Sequence, residues 1–102
     1  MSKLAGKWAT AVKLPIGNVE SEAEFFVDGN KLTGTILDLS NGHVSEIRKG
    51  KVDGDSFSLE ITFITLVGDM ETKMTGCVNV DDMLVGVSEN PMGEFDFEAR
   101  RL

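Results

Sequence analysis

The sequence predicts an all-β fold: an eight-stranded antiparallel up-and-down meander closed into one small barrel over residues 1–102, with a two-layer β-sandwich as the alternative. Three observations lead there. Apolar and polar residues alternate with period two, and no segment carries a helical period. Glycine-bearing turns break that alternation every eight to twelve residues. Eleven glycines stand against two prolines, with Val, Ile, Thr and Phe spread along the chain.

Taken in order, the strands are expected at 6–14, 19–27, 31–38, 43–49, 56–65, 70–80, 83–89 and 94–101. In the second, Val19, Ala23, Phe25 and Val27 oppose Glu20, Glu22 and Glu24. The fourth, "HVSEIRK", has the poorest alternation. The fifth has the clearest: Phe57, Leu59, Ile61 and Phe63 share one face, and Ser58, Glu60 and Thr62 the other. The eighth sets Phe95, Phe97 and Ala99 against Glu94, Asp96 and Glu98. Each reads as a strand with one dry face and one wet face. Short connections make sequence neighbours pair antiparallel, and closing the sheet removes its exposed edges.

Val-Asp followed by Gly or Asp recurs at 27–30, 52–55 and 80–82. A calcium loop needs several converging oxygen ligands and a closing Glu, which none of these stretches has. They read as hairpin turns, because Asp-Gly supplies the positive φ that tight turns demand. In a meander alternate turns share an end, so these three lie together at a tight, acidic end. The connections "PIGN", "LSNG", "LVGD" and "NPMG" then gather at a looser, more apolar end, with Ile16, Leu39, Val67 and Met92 at or near the tips.

The totals exclude several functions. A net charge of −7 and a pI near 4.5 oppose nucleic-acid binding, which needs clustered Lys and Arg, and discourage adhesion to anionic membranes. No apolar run approaches the roughly 18 residues that span a bilayer, so no membrane insertion is expected. The start "MSKLAGKWATA" lacks the apolar core of a secretory signal. One cysteine makes no internal disulfide. The expectation is a complete, acidic, cytoplasmic protein without cofactor or metal, a monomer or weak homo-oligomer.

Gly6-Lys7-Trp8 opens the first strand and Arg100-Arg101 closes the last. This resembles the lipocalin and calycin pattern. There a Gly-x-Trp on strand one closes the barrel floor, and an arginine from the last strand packs across the tryptophan. Arg101, on the face of Phe95 and Phe97, matches that arginine, while Arg100 points outward. The chain also resembles small bacterial β-domains with a Gly-x-Trp start and a terminal Arg, a likeness that brings no established activity. The resemblance implies that Trp8 and Arg101 are structural floor residues.

Other chemistry is thin. His43 follows the Asn41-Gly42 turn, and Asp38 or Glu46 would have to orient it for acid–base work. Cys77 alternates onto the outer face with no base beside it, so an inert thiol is expected. Met70, Met74, Met83 and Met92 suit core filling or an adaptable pocket wall. The combs Glu20, Glu22, Glu24 and Glu94, Asp96, Glu98 face outward beside Lys7 and Lys13, a cross-strand charge pattern and not a catalytic pair.

The expected function is non-catalytic binding of a small apolar or amphipathic molecule through the loose end. The candidate lining is Thr10, Val12, Phe25, Ile36, Phe63, Met70, Met74 and Phe95, chosen by face and height. One alternative is a protein-interaction or oligomerisation module using Ile16, Leu39, Val67 and Met92. A third is an enzyme with His43 as acid or base.

Overall fold

Period-two alternation commits nearly the whole chain to strands that need partners for one dry face. The computed structural model, which describes residues 3–15, 17–65 and 68–102, satisfies them by closure. Nine segments form in chain order: β1 (Gly6–Leu14), β2 (Gly17–Asp28), β3 (Lys31–Asp38), β4 (Val44–Glu46), β5 (Arg48–Asp53), β6 (Ser56–Thr65), β7 (Gly68–Val78), β8 (Leu84–Asn90) and β9 (Gly93–Arg101). Sequence neighbours pair antiparallel, β1 pairs with both β2 and β9, and β2 with β3, so the ladder runs full circle. With β4 and β5 as one interrupted strand, this is the eight-stranded up-and-down barrel and not the sandwich.

The interruption corrects the expected fourth strand at 43–49. The chain breaks at Ile47, the register slips between Arg48 and Lys51, and the second piece runs on to Asp53. Lys49 takes up the bulge at φ 51°, a left-handed conformation that non-glycine residues rarely adopt. Next to it, a Cβ on Gly50 would lie 2.1 Å from the Leu32 carbonyl oxygen, so the two strands touch backbone to backbone. Beyond the break β4 ladders only to β3. Side chains bridge it to β6 instead: Ser45 Oγ donates to the Thr62 carbonyl, and Asn41 Nδ2 to the Ile64 carbonyl at 3.0 Å. Arg48 adds a bond to Thr62 Oγ1 at 2.8 Å and an ion pair with Glu71 at 2.7 Å.

The turns explain the two ends. Gly29 and Gly54 sit at φ 63° and 62° in the two Asp-Gly hairpins, where a side chain would be strained. The third acidic turn is built differently: Asn79 Oδ1 accepts from the amides of Asp81 and Met83, and Asp82 turns the chain at φ 59°. Asn79, not Asp81, organises it.

Packing divides the interior. Across β6, β7, β8 and β9 the register aligns Phe57, Gly76, Gly86 and Phe97. The two missing side chains leave room for the rings, since a Cβ at Gly76 would lie 3.1 Å from both Phe57 and Phe97. Phe57 then contacts Phe25 at 5.8 Å and Phe97 at 6.1 Å between centroids, tilted geometries that aromatic pairs favour.

Candidate functional site

The tight end is plugged beneath β1 and β9. Trp8 is fully buried and its indole Nε1 donates to the Leu4 carbonyl at 2.9 Å, so residues 3–5 fold under the barrel as a plug. The Arg101 guanidinium carbon stands 4.2 Å from the Trp8 ring centroid, a cation–π contact. Its nitrogens donate to the carbonyls of Lys3 and Ala5 at 2.6 and 3.1 Å, and to Asp82 at 3.1 and 3.2 Å. That bond to Arg101 holds the Asp82 carboxyl below the usual range. The plug and the role of Asp82 in anchoring Arg101 were not expected; residues 3–5 carry no alternation to flag them.

The candidate lining lies on the inner face. Thr10, Val12, Phe25, Ile36, Phe63 and Met74 are buried, and Met70 and Phe95 are half-buried against the core. They do not form one group: Phe25 belongs to the aromatic packing with Phe57, while the others rise toward the loose end. Sequence reasoning missed most of the polar part of that wall. The buried polar residues among those described are Thr10, Ser21, Asp38, Ser45, Thr72 and Ser88. Thr10 lies mid-way along β1, and the other five lie in the half nearer the loose end. Their signal was present, because each shares the parity of apolar inward neighbours, as Ser88 does with Leu84.

These groups are unequally satisfied. Ser45 is bonded to Thr62, and Thr72 Oγ1 donates to the Met70 carbonyl at 3.3 Å. Ser88 is 1 % exposed, and its Oγ has no hydrogen-bond partner among the described residues. Its cross-strand neighbours are Met74 and Phe95, both from the candidate lining.

The other candidates are placed apart. The His43 backbone amide is held by Asn41 Oδ1 at 2.8 Å, and among the described residues no hydrogen bond joins its ring to Asp38 or Glu46. Cys77 is half-buried on β7, opposite Ser56 and Val85. Leu39 and Met92 are 51 % and 62 % exposed, on turns that β1 and β2 separate around the rim; Ile16 and Val67 lie outside the described residues. Of the outward cations expected to pair with the acidic combs, Lys7 reaches Glu24 at 3.9 Å, whereas Lys13 stands opposite Asn18.

Surface depressions are mixed in character, and one of about 180 Å³ is walled by Thr10, Ser21 and Leu39. One of about 320 Å³ is walled by Glu60, Glu71, Lys73 and Glu89, and one of about 810 Å³ at the tight end by Lys31, Lys51 and Ser56. These two are open to solvent; the first is walled mostly by charged and amide side chains, and the second also by Val52 and Phe57. Among the described residues no cluster of three His, Cys, Asp or Glu side chains is arranged to hold a metal, and no helix is long and apolar enough to cross a membrane. No protein-family model, curated protein sequence or solved structure matches the chain.

Proposed function

We propose that the protein binds a small amphipathic molecule, without catalysis, inside the loose half of the barrel. The observation that carries this reading is Ser88 Oγ, a buried hydroxyl without a partner among the described residues. Such a group costs about 1–3 kcal/mol, a cost that a ligand hydrogen bond would remove. Around it stand Met74 and Phe95, and Met70 near the mouth. Thioether side chains turn easily about three bonds and so make an adaptable wall. Eight strands enclose room for side chains or one small ligand, so the ligand would enter by displacing Met70 and Met74. The Trp8–Arg101 floor supports kinship with the lipocalin-like calycins.

Methyl-labelled methionines test this directly. Titration with 1-naphthol, a neutral amphipath, should shift the Met70 and Met74 methyl resonances saturably. It should leave unmoved Met83, which lies beside the tight-end turn. Shifts confined to Met83 or the exposed Met92, or shifts that never saturate, would place any binding outside the barrel and sink the reading.

A further inference from the structure

We infer that the ligand of the loose half is an amphipathic organic cation, an amine, with its charged head on Asp38 and a polar group at its other end on Ser88. This rests on the reading that the loose half takes a small molecule, and adds the charge of that molecule.

Asp38 ends β3 on the inner face and is 7 % exposed. Its Oδ1 accepts from the Ser40 amide at 2.9 Å and from Ser40 Oγ at 2.7 Å. Those two bonds hold the carboxyl through Oδ1, and among the described residues no donor bonds Oδ2. Among the described residues no cation forms an ion pair with it. Carboxylates this buried are almost always paired. His43 stands at the same rim, yet its ring makes no hydrogen bond to Asp38 among the described residues.

The inventory of charge decides the sign of the ligand. Asp38 is the one ionisable residue among the six buried polar ones. Every lysine and arginine of the chain is exposed, and Arg101 is committed to the floor. A carboxylate or phosphate head entering the loose half would therefore meet an acid and no cation. An ammonium head has three donors; one suits Asp38 Oδ2. Ser21, directly opposite Asp38 in the β2–β3 ladder, offers a second acceptor, and Thr10, opposite Ser21 in the β1–β2 ladder, a third. No metal-holding cluster surrounds Asp38 among the described residues, which favours an organic cation over a bare ion.

Geometry sets the length. Passing around the barrel from β3 through β2, β1 and β9 leads to β8, half-way round, so Asp38 and Ser88 sit on strands half a barrel apart. The gap between facing sheet walls is about 10 Å, the scale of one aromatic ring with a short aminoalkyl arm. Met74 and Phe95 flank Ser88 and would pack on the ring.

The test is calorimetric titration at neutral pH with three compounds on one skeleton: 4-hydroxyphenethylamine, 2-(4-hydroxyphenyl)ethanol and 3-(4-hydroxyphenyl)propanoate. The amine should bind at least about tenfold tighter than the carboxylate, the alcohol falling between, as one charge-assisted hydrogen bond implies. Asp38→Asn keeps an acceptor for Ser40, and it should reduce the amine to the affinity of the alcohol while leaving the alcohol unchanged. Equal or tighter carboxylate binding, or an amine preference that survives Asp38→Asn, overturns the inference. Binding of the alcohol with no amine preference removes only the charge assignment. Binding of none of the three removes the loose-half reading as well.

Discussion

The two halves of this barrel are built from the same alternating strands and filled by opposite means. In the tight half every buried residue described is apolar, three phenyl rings interlock over two glycines, and the one indole N–H is bonded to Leu4. In the loose half hydroxyls and one acid replace apolar side chains at inward positions, and one hydroxyl has no partner among the described residues. Close packing and satisfied polar groups maximise stability, so the tight half is the part that holds the barrel together. An interior that buries a hydroxyl with no partner among the described residues is suited to receiving something else.

The largest expected effect lies at the floor. Trp8→Ala removes a fully buried indole and should cost about 3–5 kcal/mol, read as a lower urea midpoint with an unchanged slope. A loss well under 1 kcal/mol would mean that the floor does not carry the fold. Gly86→Ala comes next. Its new Cβ would lie 2.0 Å from the Thr75 carbonyl oxygen and 2.8 Å from the Phe97 ring, so roughly 1–3 kcal/mol of overpacking is expected.

Ser88→Ala should have the opposite sign. Removing an unpartnered buried hydroxyl should stabilise the free protein by about 1 kcal/mol, a rise of roughly 4–8 °C in Tm for a domain of this size. Destabilisation by that substitution would show that the hydroxyl is satisfied, and the contrast between the halves would weaken.

The smallest effect is in acid. Arg101 lowers the Asp82 carboxyl and Arg48 lowers Glu71. A carboxyl depressed by folding contributes stability that is present above its unfolded value, about 4, and is lost as pH falls through the depressed folded value. Both pairs are exposed, so the contribution is small and salt-sensitive. Thermal unfolding followed from pH 6 to pH 2 should lose part of its slope in Asp82→Asn; an unchanged profile would remove Asp82 from the floor.

Local pattern carried much of this. The alternation of Phe57, Leu59, Ile61 and Phe63 is legible without a structure, because side-chain direction in a strand depends only on parity. Asp-Gly at 28–29 and 53–54 is legible for a similar reason, as φ preference belongs to the residue itself. Lys49 was not legible. Nothing in "EIRKGKV" marks a bulge, which arises because Gly50 lets β5 press against Leu32. Ser21, Thr72 and Ser88 were legible as inward by parity, but which of their hydroxyls find partners was not, because that depends on the neighbours that close around them.

The sequence by itself therefore determined the all-β class, the strand faces, the meander and the unlike ends, all of which follow from parity, turn chemistry and short connections. Only the tertiary structure decided which hydroxyls find partners, that residues 3–5 plug the floor, and that Asp38 and Ser88 are both buried on strands half a barrel apart. Those facts depend on contacts between strands distant in sequence. Such contacts exist only once the ladder has closed.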